Sequence, residues 1–196
     1  MKWNSHIDKI AGKVGKGLGI LYKLKRFLPR NILVMIYNTL IQSHINYGIL
    51  LWGQDPQRLV TMQKKAIRAV TSSKYNSHTE MSFKHLKILK IQDIFNLRCL
   101  KFLYSIRNDL VPDYFRDTAG EEPNQTRTKS ASRCLGIYLK TKVIPNTPEN
   151  ILEKIDTHSY AGFSNYVKSH FLSQYKPCEL GPANCYACGI TREWWS

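Results

Sequence analysis

The stretch that decides the fold is residues 4–25, NSHIDKIAGKVGKGLGILYKLK. Its apolar residues recur at steps of three and four, which places them on one face of an α-helix. The pattern predicts a long amphipathic helix with a capping box, in which Ser5 caps the helix and Asp8 closes the box. Each of its four glycines costs about 1 kcal/mol relative to Ala, so this helix needs tertiary support or allows another backbone to approach closely. The apolar positions are Ile7, Ile10, Ala11, Val14, Leu18, Leu21 and Leu24.

Further helices are predicted up to residue 110. Residues 32–45 carry a second apolar stripe of helical period, which is typical of core. Asp55 and Pro56 predict the start of a third helix, whose outer face is basic. Thr79 is expected to cap a short helix and Asp93 a longer one.

The carboxyl-terminal part has a different pattern. Residues 118–134 contain almost no large apolar side chains, which predicts a linker. Residues 135–143 alternate loosely, which predicts a strand, and residues 162–175 have helical spacing. The predicted fold class is therefore mainly α, a helical bundle followed by a small, partly irregular α/β tail. The predicted organisation is a basic helical domain (1–117), a linker (118–134), a small segment with one strand and one helix (135–177) and a Cys-containing tail (178–196).

The excess positive charge lies in the first half of the chain. The 196 residues include 29 Lys and Arg against 14 Asp and Glu, for a net charge of +15. Residues 1–107 hold 19 of these cations and four of the acids, which accounts for the whole excess. Charge confined to one segment is typical of a face that binds phosphates, so the predicted partner is RNA, DNA or an RNA–DNA hybrid. A solvated basic helix face is the alternative. The predicted contacts to the nucleic-acid backbone are Lys13, Lys16, Lys23, Lys25, Arg26, Arg30, Lys64, Lys65 and Arg68.

Three cysteines near the carboxyl end have the spacing of half a zinc motif. Cys185 and Cys188 form a C-x2-C pair, Cys178 precedes them by seven residues, and His170 lies upstream. Structural zinc takes four nitrogen or sulfur ligands, so these four residues are the predicted metal site and zinc is the candidate cofactor. The alternative is three reduced cysteines in a tail, because the chain has an odd number of cysteines, five, and no export signal.

The sequence offers no catalytic motif. It lacks a phosphate-binding glycine loop, a nucleophile elbow and a close carboxylate cluster. Four scattered acids in residues 1–107 are too few for a two-metal phosphoryl-transfer site. No apolar run approaches the roughly 18–20 residues of a membrane helix, and the first residues do not form a signal peptide. We therefore expect an intracellular protein, nuclear or cytoplasmic, that is not secreted, has no membrane partner and is not catalytic alone.

The aromatic run YGILLWG, residues 47–53, has two interpretations. Its rings either pack in the core or offer stacking faces to nucleobases. Core packing is the favoured interpretation, because an apolar run of this kind is usually buried.

A series of short motifs resembles one family, the non-LTR retrotransposon reverse transcriptases (LINE-type, jockey-like or CR1-like). The similarity covers about residues 3–110 and concerns the part of these enzymes that follows the polymerase palm. The later Phe171-Leu172-Ser173-x-Tyr175 and the terminal cysteines are also similar to the ends of such proteins. The six ordered motifs are Trp3-x2-His6-Ile7, Gly19-Ile20-Leu21 through Leu28-Pro29, Ile36-Tyr37-Asn38-Thr39-Leu40-Ile41, Tyr47-Gly48-x3-Trp52-Gly53, Gln63-Lys64-Lys65-Ala66-x-Arg68 and His78-Thr79.

The resemblance implies a function. In that family this region corresponds to the thumb and the following helical segment, which grip the template-primer duplex while the palm performs RNA-directed DNA synthesis. The family's Tyr-x-Asp-Asp signature would lie before residue 1, and the chain has no Asp-Asp pair, so the resemblance implies a carboxyl-terminal fragment whose partners include the upstream palm. The family's zinc knuckle is not matched, since no His follows Cys188. An intact polymerase, a zinc-held protein-interaction tail on an incidental basic core, and a non-functional product of a decayed element are the alternatives.

Overall fold

The computed structural model describes residues 3–54, 56–75, 77–112 and 138–176. These ranges are mainly helical and contain no strand, which confirms the mainly α prediction. The helical elements pack around one hydrophobic core. In chain order they are α1 (Asn4–Leu24), α2 (Arg30–Tyr37), the π-helical turn π1 (Asn38–Gln42), α3 (Ser43–Asn46), α4 (Ile49–Trp52), α5 (Gln57–Thr71), α6 (Glu80–His85), α7 (Ile91–Arg107), the π-helical turn π2 (Leu139–Val143), α8 (Glu149–Thr157) and α9 (Tyr160–Ser173).

Helix α1 packs its predicted face inward but does not begin as predicted. It begins at Asn4, with Trp3 at the N-cap and no side-chain cap hydrogen bond, so Ser5 lies inside the first turn and the predicted capping box is wrong. Asp8 instead forms an ion pair with Arg58 of α5, with 2.5 Å between Oδ1 and Nη1. A guanidinium from another helix, which local sequence cannot reveal, engages this carboxylate. The buried residues of α1 are Ile10, Ala11, Val14, Gly17 and Leu21.

Helices α2 and α3 continue into each other through π1, and we call this continuous helical segment, residues 30–46, the rod. The buried residues of this rod lie four apart, which confirms the predicted core stripe. Gly17 of α1 packs against the rod: a Cβ there would lie 3.1 Å from both the Leu40 carbonyl oxygen and Ile41 Cγ1. Close packing of the two elements therefore favours glycine at this position. The buried residues of the rod are Leu33, Tyr37, Ile41 and Ile45.

The aromatic run at residues 47–53 is divided between core and surface. Gly48 has a left-handed backbone, φ +62°, which turns the chain into α4. Ile49 and Trp52 of α4 are buried, and Trp52 Nε1 donates to the Tyr47 carbonyl at 2.9 Å. The Tyr47 and Leu51 side chains are exposed. The core prediction is therefore confirmed for Ile49 and Trp52 and wrong for Tyr47 and Leu51.

A buried amide joins α5 to its neighbours. Gln63 Nε2 donates to the Tyr37 hydroxyl at 3.0 Å and to the Leu89 carbonyl at 2.9 Å. The Ile91 N–H donates to Gln63 Oε1 at 3.0 Å. The Tyr37 hydroxyl in turn donates to Gln42 Oε1 at 2.7 Å, and burial raises the pKa of Tyr37 far above its ordinary value. This network fixes α5 against α2 and against the start of α7.

Two predicted helix starts differ from the structure in detail. Helix α7 begins at Ile91, and Asp93 lies in its first turn rather than at its cap. Asp93 accepts a hydrogen bond from the Tyr175 hydroxyl, a partner 82 residues away. Thr79 does precede α6, but its side chain makes no cap hydrogen bond. The capping role predicted for Asp55 lies outside the described residues.

The described part of the carboxyl-terminal segment packs on α7 and is entirely helical. The Tyr104 hydroxyl donates to the His158 carbonyl at 2.8 Å, and the Tyr104 ring stacks on Phe163 at 5.2 Å between centroids. The strand predicted for residues 135–143 is wrong for residues 138–143, which form helical turns, so the α/β tail is not supported. Leu139 and Val143 are both buried; because residues four apart share one face of a strand as well as of a helix, the local pattern could not distinguish the two states.

Other predictions fall on parts of the chain that lie outside the described residues. They concern the linker at 118–134 and the tail at 178–196 with its three cysteines. The predicted last helix at residues 162–175 corresponds to α9. Within the described ranges, no helix combines the length and the apolar character needed to cross a membrane.

We predict that Gln63→Leu lowers the free energy of unfolding by about 3 kcal/mol, because the Leu89 carbonyl and the Ile91 N–H lose their buried partner. Urea denaturation measures the change. Gln57→Leu, at the exposed first position of the same helix, is the control and should change stability by less than about 0.5 kcal/mol. Equal losses in the two variants would contradict the role assigned to Gln63.

Candidate nucleic-acid interface

Four lysines form a row on the outward side of α1. Lys9, Lys13, Lys16 and Lys23 are exposed and follow one another at steps of four, three and seven residues. These steps keep them on one side of a helix. Within the described part of the chain none of the four pairs with an acid. We call these residues the lysine row; Lys9 belongs to it although the sequence-based set of contacts left it out.

Helix α5 borders α1 along one identifiable edge. The Arg58–Asp8 ion pair lies on this edge. Met62 lies there too, because its Cε is 3.5 Å from where a Cβ on Gly15 would be. Lys65 follows Met62 by three residues and Arg58 by seven, so it shares their edge of α5. The predicted contact residue Lys65 therefore lies beside α1.

The facing edge of α1 carries glycines with open space around them. Asp8, Gly12, Gly15 and Gly19 follow one another at steps of four, three and four, so Gly12 and Gly19 lie on the edge of α1 that borders α5. A Cβ built on either Gly12 or Gly19 meets no atom within 4 Å. Packing within the described protein therefore does not require glycine at these two positions, which we call the glycine edge.

The glycine edge lies between cations. Lys16 follows Gly12 by four residues, and Lys23 follows Gly19 by four, so a lysine of the row stands one turn beyond each glycine. By helix register, Lys65 lies on the edge of α5 that borders α1, one turn beyond Met62. The lysine row, the glycine edge and Lys65 together form the candidate interface.

The other predicted cations near α1 follow its last turn, beyond the carboxyl-terminal end of the lysine row. Lys25 is the C-cap residue of α1, and its Nζ lies 5.0 Å from the centroid of the Tyr22 ring. Arg26 is exposed, and Arg30 is the half-buried first residue of α2. Lysine at a helix carboxyl end also interacts favourably with the helix dipole, so Lys25 has a structural role as well.

Lys64 lies on the side of α5 that faces α6. Its charge is one of several that lower the pKa of Glu80; the largest cause is the hydrogen bond from Lys90, with 2.5 Å between Nζ and Oε1, and the charges of Lys90 and Lys176 add to it. Lys64 is thus part of a different cationic group from Lys65.

Arg68 holds the connection between α5 and α6. Its Nε donates to the Ser77 carbonyl at 3.1 Å, and its guanidinium lies 6.0 Å from the centroid of the Tyr75 ring. The three predicted contacts of α5 are therefore separated: Lys65 borders α1, Lys64 faces α6, and Arg68 is engaged by the connecting loop.

Sequence reasoning missed the network at the start of α7. The Lys90 N–H donates to the Tyr175 hydroxyl at 2.9 Å, and Lys84 Nζ donates to the Tyr175 carbonyl at 3.1 Å. Burial raises the pKa of Asp93, against the opposing effect of the hydrogen bond from Tyr175. The basic run KHLKILK at residues 84–90 was visible in the sequence, but its acceptors lie in distant segments.

The structure describes only one residue of the predicted metal site. His170 of α9 is half-buried, and its Nε2 lies 3.0 Å from Gln174 Nε2. Cys178, Cys185 and Cys188 lie outside the described residues, so the zinc site stays a prediction. Among the residues that are described, no group of three or more His, Cys, Asp or Glu could hold a metal ion.

Comparisons with protein-family models, curated proteins and solved structures find no match to this chain.

We predict that the free energy of unfolding of Asp93→Asn, minus that of the wild type, increases as the pH rises from about 3 to 6. Because the pKa of Asp93 is raised in the folded state, this one carboxyl group binds more protons in the native than in the unfolded chain over this range, and its contribution to stability falls as the pH rises. Asn retains an oxygen for the Tyr175 hydroxyl but does not titrate. Urea denaturation at several pH values measures the difference; a pH-independent difference would contradict it.

Proposed function

We propose that this chain binds nucleic acid through the sugar-phosphate backbone, along the candidate interface of α1 and α5, and has no polymerase active site of its own. On the motifs quoted above, we propose further that it corresponds to the region after the palm of a LINE-type reverse transcriptase, where it would grip the template-primer duplex. The observation that carries the proposal is the glycine edge, flanked by lysines that pair with no acid in the described part of the chain.

The spacing of the lysine row suits a phosphate backbone. Lys16 and Lys23 lie seven residues apart, which is about 10 Å along a helix axis at 1.5 Å per residue. A strand of duplex DNA advances roughly 3.4 Å per phosphate along its axis, so the two lysines are about three nucleotides apart on this scale. Contacts of this kind are electrostatic and independent of base sequence.

The free-energy cost of glycine inside a helix gives a second argument for the proposal. A glycine inside a helix costs about 1 kcal/mol relative to Ala, and Gly12 and Gly19 both have room for a methyl group. Stability alone would therefore favour Ala at both positions. A surface without side chains lets another backbone approach the helix closely, and the adjacent Lys16 and Lys23 favour a polyanion as the approaching chain.

We expect the purified chain to bind an RNA–DNA hybrid duplex with a log affinity that falls against log salt at a slope of roughly −4 to −5, the value for about five neutralised phosphates. The variant Lys16→Ala, Lys23→Ala, Lys65→Ala should make this slope shallower by about 2 to 3, because about 0.9 is lost per phosphate contact. Fluorescence anisotropy between about 50 and 200 mM salt measures both slopes.

A control with the same loss of charge separates contact from net charge. The variant Lys142→Ala, Lys154→Ala, Lys168→Ala removes three cations from the carboxyl-terminal segment and should keep most of the wild-type slope. A wild-type slope near zero would reject backbone binding, and equal changes in the two triple variants would reject this location for it.

We expect the double variant Gly12→Leu, Gly19→Leu to bind the same duplex about tenfold more weakly or worse, equivalent to about 1.4 kcal/mol, because its side chains cover the glycine edge. Its thermal stability should not fall, since leucine is the better helix former and both positions are open. Asn165→Leu, on the exposed face of α9, is the matched control for an added surface leucine. Unchanged affinity in the glycine variant would remove the glycine edge from the interface.

A further inference from the structure

The rings of Trp3 and His6, at the start of α1, meet a third aromatic ring, that of Tyr47, from a distant part of the chain. The Trp3 and His6 rings lie 5.9 Å apart between centroids in an edge-to-face arrangement, with an interplanar angle of 77°. The His6 and Tyr47 rings lie 6.4 Å apart and are tilted by 38°. Trp3 and His6 are half-buried, whereas Tyr47 is 73% exposed. We call these three residues the aromatic cluster.

The backbone of Tyr47 is hydrogen-bonded within the protein, whereas most of its ring faces solvent. Its N–H donates to the Ser43 carbonyl at 3.2 Å and its carbonyl accepts from Trp52 Nε1 at 2.9 Å, so the main chain at this position is held firmly. The ring projects from this fixed point and keeps nearly three quarters of its surface in solvent. A large aromatic face held in place but left uncovered is available to a ligand with a flat apolar surface.

The aromatic cluster lies at one end of the lysine row. His6 precedes Lys9 by three residues and Lys13 by seven, so it continues the row on the same side of α1, toward the amino-terminal end. A ligand that follows the row therefore reaches His6 and, beside it, Tyr47. Such a ligand is a polyanion that also carries flat aromatic groups, which is the chemistry of a nucleic-acid strand.

We infer that the aromatic cluster is a stacking site for an unpaired nucleobase, on a strand whose phosphates lie along Lys9 and Lys13. This inference rests on the proposed function, because the row supplies the backbone contacts. It adds a preference: the chain should bind duplexes that end in a single-stranded overhang better than blunt ones. Tyr47 supplies the exposed ring face on which the base stacks. The His6 ring lies beside the Tyr47 ring, and the Trp3 ring packs against His6. Because every base has a π-face, the preference should be tolerant of base identity.

The test compares three kinds of RNA–DNA hybrid with the same paired region: blunt, with a four-nucleotide overhang, and with an overhang of abasic sites. The two overhang types are each made with a 5′ and with a 3′ overhang and measured separately. For one overhang polarity the wild-type chain should bind the base-containing overhang about fivefold or more tightly than the abasic one. Stacking should also quench 2-aminopurine fluorescence in the overhang. Anisotropy at a fixed salt concentration measures the affinities.

Three variants locate the effect. Tyr47→Ala should reduce the ratio of affinities for base-containing and abasic overhangs to about one, and Tyr47→Phe should retain it, because stacking needs the ring and not the hydroxyl. Tyr75→Ala is the matched control: Tyr75 is 71% exposed, against 73% for Tyr47, but lies beside Arg68 and not in the aromatic cluster. It should keep the wild-type ratio. Circular dichroism checks that each variant is folded.

The outcomes distinguish this inference from the proposed function. Salt-dependent binding of the blunt hybrid with equal affinity for base-containing and abasic overhangs would overturn the stacking site and leave backbone binding intact. Absence of binding to all three hybrids would overturn both. A ratio that falls equally in Tyr47→Ala and Tyr75→Ala would overturn the assignment to the aromatic cluster, since any exposed tyrosine would then contribute.

Discussion

The buried amide of Gln63 is the interaction on which the arrangement of the helices depends. It satisfies a hydroxyl on α2, a carbonyl before α7 and the first N–H of α7 at once, through Tyr37, Leu89 and Ile91. A buried amide has a fixed number of donors and acceptors, so these three partners allow α5 only one rotation about its axis. That rotation decides which edge of α5 meets α1, and so places Lys65 beside the glycine edge while Lys64 faces α6.

Two glycines of α1 lie where backbone stability would favour another residue. Three helices end with a residue of left-handed backbone, where glycine is the usual choice; Ser72, Lys87 and Asp109 occupy these positions, with φ of 53°, 52° and 56°. Gly12 and Gly19, in contrast, stand inside α1 with room for a side chain. An exchange of residue types between the two kinds of position would stabilise the helices. Packing within the described residues does not account for glycine at these two positions, and under the proposed function they let a ligand approach the helix surface.

The large net charge is not all available to a ligand. Lys84 and Lys90 bind acceptors within the protein, the Tyr175 carbonyl and the Glu80 carboxylate. With Asp93 beneath the Tyr175 hydroxyl, these cations dock the end of the carboxyl-terminal segment onto α6 and α7. The lysine row of α1 has no such partners in the described residues. Under the proposed function this distinction matters, because phosphate binding releases counterions from cations that have no partner within the protein.

The sequence by itself determined the mainly helical fold and the inward faces of α1 and the α2–α3 rod, because burial of an apolar stripe imposes a period that is visible along the chain. It did not determine the helix starts, since Asp8 and Asp93 are bound by residues far away in sequence, nor the helical state of Leu139 and Val143, whose burial depends on the surface of α7. Only the tertiary structure decided which lysines share a surface and brought Tyr47 to the start of α1. Both depend on how helices pack against one another, and the contacts that fix this packing join residues that no local pattern connects.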